Sequence, residues 1–177
     1  MQTAYDLPQL SGTVLWLIPS AKGASAFRKE IVRLSDHFNT VQFLPHLTLG
    51  RLPDSSTKDD IYSPKKSIRF NQSDAICADF DALRCTDNPY QNLVASLEPS
   101  PELDRLQSEI EMLIPGYIRK SEYHVSLMYG YVPCDKIMDQ LTDLTERLPQ
   151  EVCFSKLSAV KLKGGPESWQ SVWEING

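Results

Sequence analysis

Pro45-His46-Leu47-Thr48-Leu49-Gly50 and Tyr123-His124-Val125-Ser126-Leu127-Met128 are two versions of one short pattern, and the rest of the chain is read outward from them. Each alternates an imidazole and a hydroxyl with apolar residues, the pattern of a half-buried strand. Residues two apart on a strand share a face. His46 and Thr48 therefore point one way while Leu47 and Leu49 enter the opposite layer, and His124 and Ser126 do the same over Val125 and Leu127. The chain has only three histidines, and two of them occupy this pattern. His46 precedes His124 by 78 residues, and Thr48 precedes Ser126 by the same 78.

The flanks repeat as well. Val14 to Ser20 reads as a strand ending in Pro-Ser, followed by a helix over Ala24 to Phe38 with Phe27, Ile31, Leu34 and Phe38 on one face, and then by the first motif. Leu93 to Ser100 again ends in Pro-Ser. It is followed by a helix over Pro101 to Ile114, with Leu103, Leu106, Ile110, Leu113 and Ile114 in register, and by the second motif. The order strand, helix, strand thus recurs, and Pro19 to Pro99 spans a nearly matching 80 residues. Between the repeats, Leu52 to Pro64 is a polar connection with a short helix around Lys58 to Tyr62. Ser67 to Arg84 supplies one or two strands, and Asp87-Asn88-Pro89 a turn. Asp135 to Leu148 reads as one helix, with Ile137, Leu141, Leu144 and Leu148 on a face. Strands over Val152 to Lys163 and Trp169 to Ile175, joined by Gly164-Gly165-Pro166, end the chain. The expected organisation is one bilobal α+β domain over 1–177. Its repeat units run from about 12 to 85 and 90 to 177, with strands crossing between lobes.

A chain of 177 residues with 41% hydrophobic composition can bury roughly 70% of its unfolded surface and fold without staples. Its longest apolar run, Val14 to Ile18, is far short of a membrane span and is stopped by Pro19. Met1 to Asp6 lacks the pattern of a secretory signal, so the expected address is intracellular, cytoplasmic by default with an endomembrane compartment such as the Golgi left open. Cys77, Cys85, Cys134 and Cys153 are scattered with no CxxC pair. That argues against a zinc site and predicts four idle thiols rather than disulfides. Eighteen Lys and Arg against 23 Asp and Glu give a net charge of −5, which disfavours a stable complex with long nucleic acid but leaves room for a small phosphorylated ligand. Lys65, Lys66 and Arg69 read as a solvated face.

Two imidazoles facing each other across a cleft suit phosphodiester hydrolysis without metal. A neutral one removes a proton from water while a protonated one returns a proton to the leaving oxygen. The Thr48 and Ser126 hydroxyls can donate to the non-bridging oxygens. A lone His-x-Thr carries little weight, but the doubling at constant offset turns these four residues into a catalytic set. His37 has no counterpart and sits at a helix C-terminus, where a surface cation is favoured.

The pair of motifs, with Tyr129-Gly130 after the second, resembles the two signatures of the 2H phosphoesterase superfamily. With Val14 to Pro19 and the late Trp169, the chain is similar to the plant and fungal 2′,3′-cyclic nucleotide 3′-phosphodiesterases. That resemblance implies a bilobal α+β, LigT-like 2H phosphoesterase fold, with two antiparallel sheets flanked by helices and the site in the cleft between them. It implies hydrolysis, without cofactor or metal, of 2′,3′-cyclic nucleotides to 2′-phosphates and of ADP-ribose 1″,2″-cyclic phosphate to the 1″-phosphate, in a monomer at the end of tRNA splicing. It carries His46, Thr48, His124 and Ser126 as catalytic and Trp16 and Tyr129 as substrate-binding. On parity alone Trp16 faces either core or cleft, where it can stack on a base. Strict alternation sends Tyr129 away from His124 unless a bend at Gly130 returns it. Phe43 reads equally as packing. Other readings are an RNA-end phosphodiesterase or 2′-5′ RNA ligase of the same superfamily, and a module that binds cyclic phosphates without turnover.

Overall fold

The computed structural model describes residues 7–70 and 76–177. The reading of Met1 to Asp6, and residues 71–75 of the region from Ser67 to Arg84, lie outside the described residues. The elements run β1 (Leu10–Pro19), α1 (Ala21–Phe38), β2 (Leu47–Arg51), α2 (Lys58–Tyr62), β3 (Ile76–Cys85), β4 (Leu93–Leu97), α3 (Pro101–Leu113), β5 (Ile118–Arg119), β6 (Tyr123–Met128), α4 (Cys134–Met138), α5 (Leu144–Arg147), β7 (Glu151–Gly164) and β8 (Gln170–Asn176). Helix α1 buries Phe27, Ile31 and Leu34, the stripe seen in the sequence, and ends where Asn39 turns left-handed at φ 53°. Helix α3 begins with the Ser100 hydroxyl accepting from the Leu103 N–H, Pro101 in its first turn, and Glu102 and Asp104 beside the positive end of the dipole.

The fold is α+β, and among the described residues eight strands form one antiparallel sheet. Following the pairs β1, β2, β6, β4, β3, β7 leads back to β1, because β7 is long enough to pair twice. Its start, Glu151 to Phe154, pairs with β3. The stretch from Phe154 to Gly164 pairs with β1, while β8 runs along Lys156 to Lys161 on the other edge. The halves of the chain are also joined where Leu47 of β2 pairs antiparallel with Val125 of β6. One large cluster, including Leu15, Phe27, Leu47, Leu93, Val125 and Leu157, forms the core, while Val14, Trp16, Val160 and Leu162 form a smaller one on the opposite face of β1 and β7.

Three expectations are corrected. The single helix over Asp135 to Leu148 is two short ones, α4 and α5. The N–H groups of Gln140, Leu141 and Leu144 bond to carbonyls three residues back, so the chain tightens between the helices. The apolar side chains still reach the core, with Ile137, Leu144 and Leu148 buried. Strand β5 was not foreseen, being two residues long and held by the edge of β2. The four cysteines are not idle thiols. Cys77 pairs with Cys153 across the β3–β7 ladder, and Cys85 with Cys134 between the end of β3 and the start of α4. Long-range topology brought them together, which spacing in the sequence does not reveal. Cysteine chemistry therefore gives no support to an intracellular address, since disulfides persist in oxidising compartments. No helix among the described residues is long and apolar enough to cross a membrane.

Candidate active site

The register Leu47 to Val125 fixes the geometry of the two motifs. In an antiparallel pair the neighbours of a matched pair also match, so His46 lies opposite Ser126 and Thr48 opposite His124. All four project to the face away from Leu47 and Val125, both fully buried. The strand pattern thus brings each imidazole beside the other motif's hydroxyl. The four side chains line one cleft of about 470 Å³, a size suited to a nucleotide-scale ligand.

His46 is buried, with its ring stacked on Trp16 at a centroid distance of 3.6 Å and an interplanar angle of 15°. Its Nδ1 lies 2.7 Å from the Leu44 carbonyl, which can only accept, so Nδ1 carries the hydrogen. In the neutral ring Nε2 then accepts from the Tyr129 hydroxyl at 3.4 Å. Burial lowers the His46 pKa to about 4, against the opposing pull of the Leu44 carbonyl, with the charge of His124 adding to the depression. His124 is half-buried, and its pKa is likewise lowered to about 4, by desolvation first and then by the Lys120 and Arg84 charges, with Glu122 opposing. The Ser126 hydroxyl donates to the Tyr90 carbonyl at 3.2 Å.

Tyr129 reaches the site by a route the sequence hides. Leu93 pairs with Met128 but Val94 with Ser126, so one extra residue of β6 is accommodated as a bulge. Leu127 and Met128 both enter the core, alternation resets, and Tyr129 returns to the face of His124 and Ser126. The bulge, rather than a bend at Gly130, delivers it. Phe43 stacks on Tyr129 at 3.6 Å and 10°, and burial pushes the Tyr129 phenol above its ordinary range. Trp16 does face the cleft, but His46 covers one face of its indole, so it orients the histidine directly. Of the aromatics at the mouth, Tyr90 and Trp169 are the half-exposed ones, with centroids 5.8 Å apart. His37 is exposed on α1, away from the lining of the cleft.

Sequence reasoning missed Arg51, Tyr90, Arg119 and Lys120, all of which line the cleft. Among the described residues it is lined by three cations and no carboxylate, in a chain whose net charge is −5. That charge separation makes the cleft attractive to an anion. The signal for Arg51 was present: it follows Thr48 by three residues as Tyr129 follows Ser126.

No family model matches the chain, and no curated protein does at a significant level. Solved structures do. E. coli LigT in apo form superposes with a TM-score of 0.58 at 12% identity, over 96% of this chain and 98% of that one. A structure described as a phosphoesterase gives 0.55 at 12% identity over 94% and 99%. Kluyveromyces marxianus Usb1 gives 0.50 at 14% identity over 90% and 96%. At such low identity the likeness is one of architecture, and in architecture this chain is similar to LigT and these neighbours over nearly its full length.

Proposed function

We propose that the protein is a metal-independent cyclic phosphodiesterase of the 2H phosphoesterase type. It opens 2′,3′-cyclic nucleotides to nucleoside 2′-phosphates, and the same chemistry opens ADP-ribose 1″,2″-cyclic phosphate. The observation that carries the reading is the cross-strand pairing of the two motifs, which sets two imidazoles and two hydroxyls along one cationic cleft. Support comes also from the neighbours, since LigT has been crystallised with phosphate, with 3′-AMP and with NADP+.

The surroundings of the two rings support a division of roles. His46 has a carbonyl acceptor at Nδ1 and an indole against its face, both of which favour an imidazolium. His124 stands beside Lys120 and Arg84, which disfavour one. His124 is therefore the base and His46 the acid. A water oxygen attacks phosphorus as His124 takes its proton; the bond from phosphorus to O3′ breaks, and protonated His46 gives its proton to that oxygen. Thr48 and Ser126 donate to the non-bridging oxygens, Ser126 exchanging its bond to the Tyr90 carbonyl for one to phosphate. A base would stack on half-exposed Tyr90 or Trp169.

Incubation with adenosine 2′,3′-cyclic phosphate in excess EDTA tests the proposal. The expected product is the 2′-monophosphate. The 3′-monophosphate would reverse the assigned leaving oxygen, and tight binding with no monoester after hours would make the protein a binding module instead.

A further inference from the structure

The two motifs match beyond their hydroxyls. Leu15 pairs with Gly50 but Trp16 with Thr48, so β2 carries a bulge at Leu49, 78 residues before the one in β6. Leu49 enters the core, and Arg51 lines the cleft as Tyr129 does. Tyr129 closes on His46. Its counterpart Arg51 pairs with Val14 while Thr48 pairs with Trp16, so across the bulge it lies only two strand rises, roughly 7 Å, from Thr48, toward the opposite end of the cleft. The guanidinium lies against Gly12, whose φ of 106° suits glycine. A Cβ there would meet Arg51 Nη2 at 3.0 Å, so the missing side chain leaves room for the fork.

Arg51 is held by Asp54, an exposed carboxylate outside the cleft lining. Arg119 is likewise balanced by Asp104 and Glu111. Lys120, exposed and carried by β5's continuation, has no carboxylate partner among the described residues, and its N–H donates to the Leu49 carbonyl at the bulge. A rigid guanidinium fork and an unpaired ammonium at one end of a cleft without carboxylates match a phosphate.

We propose that Arg51 and Lys120 form a second anion subsite, which takes a phosphate that the substrate carries apart from the cyclic one. The inference rests on the cyclic phosphodiesterase reading for its substrate class. Chemically, the second phosphate is a nucleotide 5′-phosphate, the diphosphate of an ADP-ribose derivative, or the next phosphodiester of an oligonucleotide.

The test compares adenosine 2′,3′-cyclic phosphate with its 5′-phosphorylated form, with ADP-ribose 1″,2″-cyclic phosphate and with a trinucleotide ending in a cyclic phosphate. The second phosphate is expected to raise kcat/KM at least about tenfold, and Arg51→Gln to shrink that ratio by a similar factor. The substrate ranked first names the source. A merely structural Arg51 would lower all rates together and leave the ratio unmoved, which overturns the proposal, as does equal use of all four substrates by the unaltered protein. Lys120→Ala, at an exposed position, repeats the measurement should Arg51→Gln disturb folding. Binding of adenosine 2′,5′-bisphosphate against the 2′-monophosphate reads the subsite without turnover. A tenfold preference abolished by Arg51→Gln upholds it even if no substrate is hydrolysed, and no preference sinks it even if hydrolysis is fast.

Discussion

Two histidines held neutral well below the usual imidazole range set the pH behaviour of the site. With both pKa values lowered to about 4, the free protein at pH 7 holds two neutral rings, a ready base and an acid still lacking its proton. The form with one ring protonated is commonest near the two pKa values, so kcat/KM for a cyclic phosphate is expected to fall as pH rises from 5 to 7. A bound anion favours the imidazolium, so the falling limb of kcat should lie at higher pH than that of kcat/KM. Rate profiles over pH 4 to 8 check this, and a kcat/KM flat across that range would contradict it. His46→Ala and His124→Ala should each cost at least about 10²-fold in turnover, the scale of losing a general acid or base. The depressed values also act on stability. The unfolded rings bind protons near pH 6.5 and the folded ones only near 4, so stability is lost as pH falls through that window.

At the scale of elements, the paired bulges are what turn two ordinary strands into a site. Gly50 shows how tightly the first is built: a Cβ there would lie 2.4 Å from the Ile118 carbonyl and 2.4 Å from the Tyr117 ring. Backbone cannot yield as a flexible side chain would. Gly50→Ala should therefore cost about 3 kcal/mol through overpacking, a fall in melting temperature of roughly 6–12 °C by thermal unfolding. An unchanged melting temperature would mean that β5 is not seated on β2. The same region is braced by buried Gln107 of α3, which donates to the Leu49 carbonyl at 2.7 Å and accepts from the Tyr117 hydroxyl at 2.9 Å. This is where legibility in the sequence ended. Periodicity located the main helices and strands, and the His-x-Thr/Ser doubling found the four central side chains, because period-two alternation is a local property. A bulge breaks that alternation through pairing with a distant strand, so Arg51 was passed over and Tyr129 was reached only by resemblance.

At the scale of the molecule, the ring of strands leaves the cleft wall to two loops outside the long strands. Residues Thr86 to Asn92, between β3 and β4, supply Asn88, Tyr90 and Gln91 to the cleft, and the segment from Tyr129 to Pro133 leads away from β6. They are joined by hydrogen bonds from Gly130 N–H to the Pro89 carbonyl, from Asn92 to the Val132 carbonyl, and from Val132 N–H back to Asn92. The Cys85–Cys134 disulfide closes their base, whereas Cys77–Cys153 joins residues already opposite each other in the β3–β7 ladder. The two crosslinks enclose 49 and 76 residues of sequence separation, so chain entropy alone assigns each about 4 kcal/mol. Their effects on function should nevertheless diverge. Replacing Cys85 and Cys134 together by Ser should lower the melting temperature by about 10 °C and raise KM several-fold, because Tyr90 and the Ser126 acceptor loosen with the loop. Replacing Cys77 and Cys153 should cost similar stability and leave KM near its original value, since the ladder still holds those strands in register. Equal KM changes in the two double variants would show that the crosslinks act on the fold as a whole, and that the wall of the cleft owes its shape to the hydrogen bonds alone.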